Sequence, residues 1–205
     1  MYYLFEIYNE NDFDNLRNFK FERCTSKNVV ININEDITFK NSFKPINLEG
    51  FDVIVNGNNH TLSNINIDTF TRDYFVKDYA AMFSNLYNLY VYNLNINNSN
   101  VYGAVKCGTL AGHIDGNAII NNVNATNLLV NSEAFAGGLI GRCNEIELIN
   151  SSVSSCVYGH DVVGGVVGMA NKYTEENSSV LCNGMSILKA IDERAGYCEL
   201  KFIKR

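Results

Sequence analysis

Three acidic residues, Asp115, Glu145 and Glu147, are the side chains whose type and spacing could do acid–base chemistry. Hydrolysis of a glycosidic bond needs two carboxyl groups about 5 to 10 Å apart in a cleft. The three fall at similar places in neighbouring repeats, where they could meet, but a solvated acidic edge would give the same pattern. No paired-aspartate signature of the polygalacturonase type accompanies them. We therefore predict no catalytic residue and treat all three as candidates for binding a partner.

Histidines and cysteines give no sign of a metal or cofactor site. The chain has three histidines and six cysteines, with no C-x-x-C pair and no histidine at zinc-ligand spacing. His160 precedes Asp161, but the sequence offers this pair no nucleophile. Isolated cysteines usually behave as small buried hydrophobic residues. The prediction is no metal and no cofactor. The cysteines are Cys24, Cys107, Cys143, Cys156, Cys182 and Cys198.

The elements that must position these residues are repeats of about 28 residues. Four segments align, AAMFS, TLAGH, GGLIG and GGVVG, and the last small residue of each marks the register. These marker residues, at steps of 28, 29 and 27, are Ser84, Gly112, Gly141 and Gly168. A fixed period in this range indicates a solenoid in which each repeat packs on the next.

A second pattern, apolar-x-Asn-x-x-apolar, runs through the same region. Its asparagines step by 29, 29, 28 and 27 residues and keep a nearly constant distance from the marker residues. One asparagine per repeat could stack its amide on the equivalent one in the next coil, as in other in-register asparagine ladders. The predicted ladder consists of Asn64, Asn93, Asn122, Asn150 and Asn177.

The apolar residues favour strands over helices. Inside the repeats they are often β-branched and spaced by two or three, and residues typical of helical arrays are scarce. Roughly one residue in six is asparagine, which favours turns. The recurring glycines fit places where the chain bends sharply or coils pack closely. We predict an all-β chain that forms a parallel β-helix of four to five coils.

Three stretches, FKPINLEGFDVIVNGNNHTLSNINI, GGLIGRCNEIELINSSVSSCVYG and GGVVGMA, resemble the GLUG-repeat family. The resemblance covers about residues 40 to 180, and the segments AMFS and TLAG depart from its Gly-Leu-hydrophobic-Gly pattern. It implies a right-handed parallel β-helix of the pectin-lyase type, with His60 in a structural turn. Known members of the family are often surface or adhesin-like proteins and share no catalytic motif, so the resemblance implies an architecture and no reaction.

Each end of the solenoid is predicted to carry a cap, because open coil ends expose unpaired strand edges. Asn11 or Asp12 would begin a short helix, followed by an alternating strand over residues 29–37. A second helix is predicted over residues 186–196, followed by a strand over 197–203. The chain is interpreted as one domain, 1–205, with an N-terminal cap and first strand (1–40), the repeats (41–183) and a C-terminal cap (184–205).

The most variable segments lie between each asparagine and the next marker residue. We predict them as loops stacked along one side of the solenoid, where binding sites normally occur. In three of the four variable segments, the residue ten positions before the marker is a tyrosine: Tyr74, Tyr102 and Tyr158. In the remaining segment it is Asn131. These rings would form either a recognition strip for a protein or glycan, or an aromatic stack that stabilises the coils.

The acidic composition indicates which partners fit. A formal charge of −6 argues against direct binding to a nucleic-acid backbone, which needs clustered Lys and Arg. Residues 185–205 are weakly positive, so the repeats are more acidic than the total suggests, and a partner with a basic surface fits better. The sequence contains neither a secretory signal nor a stretch of about 18 apolar residues. We predict a cytoplasmic protein that does not enter a membrane.

Three functions are compatible with this sequence. The leading hypothesis is a non-enzymatic β-helix that binds a protein; one form of it is an inhibitor, carried by a phage or mobile element, of a host nucleic-acid-binding enzyme. The second is a glycan-binding or adhesin-like surface module, which the family resemblance favours. The third is a polysaccharide lyase or hydrolase that uses Asp115 or Glu145. Self-association through a cap or a strand edge is compatible with all three.

Overall fold

The fold is a parallel β-helix of about six turns, slightly more than the four to five predicted. The computed structural model describes residues 2–22, 27–70, 79–186, 191–192 and 195–204, with side chains described as far as residue 184. The all-β class and the spacing of about 28 residues are confirmed, and the described residues contain one short helix. The prediction counted too few coils because it assigned the strands at both ends of the chain to caps.

The elements follow one another in a simple order along the chain. They are β1 Tyr3–Ile7, α1 Glu10–Asn18, β2 Asn28–Ile33, β3 Ile37–Thr38, β4 Ile46–Asn56, β5 Thr61–Asp68, β6 Phe83–Gly103, β7 Lys106–Cys107, β8 Ala111–Ile114, β9 Asn117–Ser132, β10 Phe135–Gly137, β11 Ile140–Arg142, β12 Glu145–Ile149, β13 Ser152–Gly159, β14 Val162–Gly164, β15 Val167–Glu176, β16 Ser179–Ser186, β17 Ile191–Asp192 and β18 Ala195–Lys204.

Fourteen of the strands form one sheet that winds around the solenoid, and four short ones form a second sheet. Two faces of the winding sheet matter for function. Face A consists of β1, β2, the second half of β4, residues 88–92 of β6, residues 117–121 of β9, β12 and residues 172–176 of β15. Face B consists of β3, β5, residues 95–103 of β6, residues 124–132 of β9, β13 and β16.

The core consists of rows of inward-facing side chains. Each row contains one side chain from each coil, stacked along the solenoid. One row on face A shows the arrangement, because its members pair in register and none is more than 1% exposed. It consists of Val29, Val53, Leu89, Ala118, Ile146 and Tyr173. Full burial of a large apolar side chain contributes about 1.5 to 3 kcal/mol, so such rows are the main source of stability.

Asparagine forms the corners of the coils. Nine described residues other than glycine have positive φ, and all nine are asparagines. Asn93, Asn122, Asn150 and Asn177, with φ between 47° and 54°, lie one above the other at the corner between face A and face B. Asparagine tolerates the left-handed conformation better than other L-residues because its short amide can hydrogen-bond locally. The high asparagine content therefore has a backbone cause as well as the predicted amide stacking.

The prediction that Asn64 belongs to this ladder is wrong. The register places Asn64 opposite Asn98, and the Nδ2 of Asn98 donates to the Oδ1 of Asn64 at 2.6 Å. These two residues and Asn127 form a second left-handed column within face B. Both columns have the apolar-x-Asn-x-x-apolar pattern, so the pattern alone could not separate them. Asn59 occupies the first corner instead, and its N–H donates to the carbonyl of Asn93.

Replacing Asn122 with alanine is expected to lower the free energy of unfolding by about 1 to 2 kcal/mol, because alanine is strained at φ 54°. The variant also loses the bond from the Nδ2 of Asn122 to the Oδ1 of Asn93, 2.8 Å long. Asn122→Gly keeps the backbone unstrained, so it should lower the free energy of unfolding clearly less than Asn122→Ala does. Urea denaturation of the two variants measures the difference. Equal losses would show that the left-handed corner is not the cause.

The marker residues form a column in which adjacent coils approach closely. Ser84, Gly112, Gly141 and Gly168 pair in register from coil to coil. A Cβ atom on Gly141 would lie 2.6 Å from the carbonyl oxygen of Gly112 and 2.8 Å from the amide nitrogen of Cys107. Both atoms belong to backbone, which cannot move aside, so the period of the glycines reflects the packing of one coil on the next.

The predicted N-terminal helix is confirmed, although it begins slightly earlier than expected. Asn9 is the N-cap of α1, and its side chain and that of Asp12 form a reciprocal capping box. Phe13 and Leu16 are buried, and the ring of Phe13 packs 5.4 Å from that of Phe43. The helix thus covers the core where the first coil would otherwise be open. The strand predicted over residues 29–37 is divided into β2 and β3.

The predicted C-terminal helix is wrong wherever the structure describes it. Ile191–Asp192 and Ala195–Lys204 are strands, which pair with β14 and β15 of the preceding coil; residues 187–190 and 193–194 lie outside the described part. Hydrogen bonding to a preformed strand edge overrides the helical preference of this segment. The strand predicted over residues 197–203 forms part of β18.

Candidate functional site

The tyrosines singled out in the sequence lie on face B and point outward. The register places Tyr102 opposite Asn131, and Asn131 opposite Tyr158, so the three form one row across three coils. Tyr102 is 37% exposed and Tyr158 is 40% exposed. Asp68 occupies the same position in the preceding coil, and Tyr74 lies outside the described residues. We call Tyr102, Asn131 and Tyr158 the tyrosine row.

The tyrosine row lies in strands, so the prediction that these segments are stacked loops is wrong. The row belongs to β6, β9 and β13, whose neighbouring residues Val101, Val130 and Val157 point inward and are fully buried. Alternation between buried valine and exposed polar or aromatic residues is typical of a strand with one face in the core. The outward side chains are therefore held by paired backbone rather than by mobile loops.

Two grooves flank the tyrosine row. One has a volume of about 680 Å³ and is lined on one side by Tyr102, Asn131 and Tyr158 and on the other by the segment around Glu133. The other, of about 410 Å³, extends from the same three residues towards Asp68. Neither lysine nor arginine is among the described residues that line them. The surface therefore offers aromatic rings, amides and carboxylates.

Each ring of the row has its own local contact. Tyr102 stacks on Phe70, with centroids 4.8 Å apart and an interplanar angle of 18°. The thiol of Cys156 donates to the hydroxyl oxygen of Tyr158 at 3.1 Å, and this contact raises the pKa of the Tyr158 phenol above its usual value. Asn131 separates the two tyrosines, so they do not stack on each other. Tyr102 therefore stacks on Phe70 and not on the other tyrosine of the row.

The acidic candidates lie on another part of the molecule. Glu145 and Glu147 are on β12 in face A, and Asp115 lies in the turn before β9. The Nζ of Lys172 donates to the Oε2 of Glu145 at 3.2 Å, and the Oδ1 of Asp115 is 3.1 Å from the Nε2 of His113. Glu145 and Asp115 thus each neighbour a basic side chain. The structure places the described ones of the predicted binding residues on face B, on face A and in the turn before β9.

His113 is half-buried beside Asp115, and its Nδ1 has no hydrogen-bond partner in the described part of the chain. Burial lowers the pKa of His113 below its usual value; the nearby positive charges of Lys106 and Arg142 add to this effect, and Asp115 opposes it. The neutral imidazole is therefore the form that the folded state favours.

The lowered pKa of His113 predicts a loss of stability in mild acid. The contribution of His113 to the free energy of unfolding is present above the ordinary histidine pKa of about 6.5. It is lost as the pH falls through the lower folded-state pKa, because the unfolded chain binds the proton more readily. Chemical denaturation at several pH values between 7 and 5 should show a steeper loss for the unmodified protein than for His113→Gln. Parallel pH profiles for the two proteins would contradict this assignment.

The described residues show neither a metal site nor a membrane-spanning helix. They contain no group of three or more His, Cys, Asp or Glu side chains that could hold a metal ion. Among them, no helix is long and apolar enough to cross a membrane. Cys107 and Cys143 are buried, and Cys156 and Cys182 are half-buried.

Comparison with known proteins identifies one similar solved structure. It is a candidate immunoglobulin A1 protease from Bacteroides ovatus, 17% identical, and the alignment covers 91% of this chain and 78% of that chain with a TM-score of 0.45. At this identity and TM-score, nothing about activity follows for this chain. No protein-family model and no curated protein matches the sequence. The resemblance to GLUG repeats therefore stays a prediction.

Sequence reasoning missed an apolar row on the outside of face A. The register aligns Leu4, Val30, Ile54, Tyr90 and Ile119 across five successive strands. Leu4 is 48% exposed and the other four are half-buried. These residues have no fixed spacing in the sequence, because the connections between the first strands differ in length. Only the strand register reveals that they form one line.

Proposed function

We propose that this protein is a non-enzymatic β-helix that binds another protein through face B. The observation that carries the proposal is the tyrosine row, with its two exposed rings two coils apart between grooves of about 680 and 410 Å³. Tyrosine is enriched at the energetic centres of protein interfaces because it combines a large apolar ring with a polar tip. Strand pairing holds the rings in place before the partner arrives, which lowers the entropic cost of binding.

The charges around the row support a partner with basic residues. Asp68 and Glu133 line the grooves without a lysine or arginine beside them in the described lining. An arginine or lysine of a partner would meet these carboxylates and could lie over a tyrosine ring in a cation–π contact. A basic nucleic-acid-binding surface of an enzyme has this chemistry, so inhibition of such an enzyme is the specific form of the proposal.

Site-specific photo-crosslinking tests this function directly. A photo-reactive phenylalanine analogue at Asn131 lies between the two tyrosines and should form a covalent adduct with one partner protein in host extract. The matched control carries the analogue at Asn47, an exposed asparagine in β4 outside faces A and B, and should give no such adduct. The same adducts from both positions, or none from Asn131, would count against face B as the binding site.

Glycan recognition is the second candidate, favoured by one feature of the same row. The coil spacing puts the two exposed rings about 10 Å apart, with an amide between them. A sugar chain could stack on the rings and hydrogen-bond to the amide. Binding to a glycan array that is lost in Tyr102→Ala or Tyr158→Ala would favour this candidate over protein recognition.

A further inference from the structure

Besides the tyrosine row on face B, the molecule has a second candidate surface, on face A. It is defined by the apolar row Leu4, Val30, Ile54, Tyr90 and Ile119. Outward positions of a sheet with one face in the core are normally polar. The neighbouring outward rows of face A follow that rule. One contains Asn28, Asp52, Asn88 and Asn117, and the other contains Glu6, Asn32, Asn56, Tyr92 and Asn121. The apolar row is thus a single strip between two largely polar borders.

The length of the strip limits what can lie on it. Successive strands of a sheet are about 4.8 Å apart, so the four steps from Leu4 to Ile119 span about 19 Å. An α-helix rises about 1.5 Å per residue, so about 13 residues, between three and four turns, would cover the strip. A helix laid on a sheet is a common way to bury one apolar stripe against another.

The charges along face A determine the character of that helix. The next residue in the apolar row is Glu147, and Glu145, Asp52 and Glu6 lie in the bordering rows. The one described lysine in these rows, Lys172, already pairs with Glu145. A groove of about 230 Å³ lies at this acidic end, between Ile119 and Glu147. A helix whose apolar stripe is bordered by lysine or arginine is complementary to both features.

We propose that face A binds a basic amphipathic helix of a partner protein, with the apolar stripe of that helix on the row from Leu4 to Ile119 and its cations near Glu145 and Glu147. This surface is separate from the tyrosine row on face B, so the inference does not depend on the function proposed for face B. It adds a second contact surface, with a partner of defined chemistry, to the same solenoid.

A synthetic peptide tests this directly. The probe is an 18-residue helical peptide of leucine and lysine with a single leucine stripe, labelled for fluorescence anisotropy, and the comparison peptide has the same composition in scrambled order. We expect the striped peptide to bind the full-length protein at least tenfold more tightly than the scrambled one. Equal binding of both peptides would show only non-specific attraction to an acidic protein and would overturn the proposal.

Two variants separate the apolar and the charged contributions. Ile54→Asn combined with Ile119→Asn should weaken binding of the striped peptide at least tenfold, and Glu147→Lys should weaken it at least threefold and reduce its salt dependence. Because Glu147→Lys changes an outward position, it tests the proposal even if the double variant fails to fold. Tyr102→Ala with Tyr158→Ala should leave peptide binding unchanged. Unchanged binding in Glu147→Lys, or loss in the tyrosine variant, would overturn the assignment to face A.

Discussion

Replacing Tyr102 and Tyr158 together with alanine should weaken binding of the protein partner by at least 100-fold without unfolding the β-helix. Truncation of a tyrosine at the centre of an interface commonly costs tenfold or more, and the two positions are two coils apart, so their losses should combine. Both side chains point outward, and the core rows beneath them are unchanged. Isothermal titration with the partner identified by crosslinking measures the loss.

The matched control uses two other exposed tyrosines elsewhere on the molecule. Tyr2 and Tyr87 are 59% and 50% exposed and lie outside the tyrosine row. Their double alanine variant should bind the face B partner as the unmodified protein does. If this control loses as much affinity as Tyr102→Ala/Tyr158→Ala, exposed aromatic area in general, and not the row on face B, accounts for the binding.

Replacing Gly141 with valine is expected to lower the free energy of unfolding by about 3 kcal/mol or more. The reason is the contact between coils, because a Cβ at this position would lie 2.6 Å from the oxygen of Gly112, 2.8 Å from the nitrogen of Cys107 and 2.9 Å from the carbonyl carbon of Lys106. All three atoms are backbone on the preceding coil. For a chain of 205 residues the loss corresponds to a decrease in Tm of about 6 to 12 °C.

Gly50 provides the control for this prediction. It has φ +80°, and a Cβ placed there meets nothing within 4 Å. Gly50→Asn should therefore be nearly neutral, because asparagine tolerates positive φ and the space is open. Thermal denaturation of both variants separates the loss of close packing from the loss of a glycine as such. A Tm of Gly141→Val within about 2 °C of the unmodified protein would refute the account of the marker column.

The repeat could be predicted because it has a local cause in each coil. A marker residue is glycine where coils touch, and a corner residue is asparagine where φ is positive, so both recur with the coil period. The same reasoning failed for Asn64, because two left-handed columns share one sequence pattern. It also failed for residues 191–192 and 195–196, where pairing with the preceding coil decides the conformation.

The surfaces were harder to predict than the fold. Tyr102 and Tyr158 were found because they keep a fixed distance from Gly112 and Gly168, but the sequence did not show that strands carry them. The apolar row of face A gives no signal at all in the sequence, since its members meet only after the chain has wound into coils. Surface rows of a solenoid depend on register, and register depends on every connection between the coils.

Quantitative affinity capture from cell extract tests the central claim most directly, namely that the β-helix recognises a protein through the tyrosine row. The unmodified protein, Tyr102→Ala/Tyr158→Ala and Tyr2→Ala/Tyr87→Ala serve as baits in parallel, and mass spectrometry quantifies the bound proteins. We predict one stoichiometric partner, retained by the unmodified protein and by the control and lost from the Tyr102→Ala/Tyr158→Ala variant. Equal recovery of that partner on all three baits, or no enriched protein on any of them, would contradict the account.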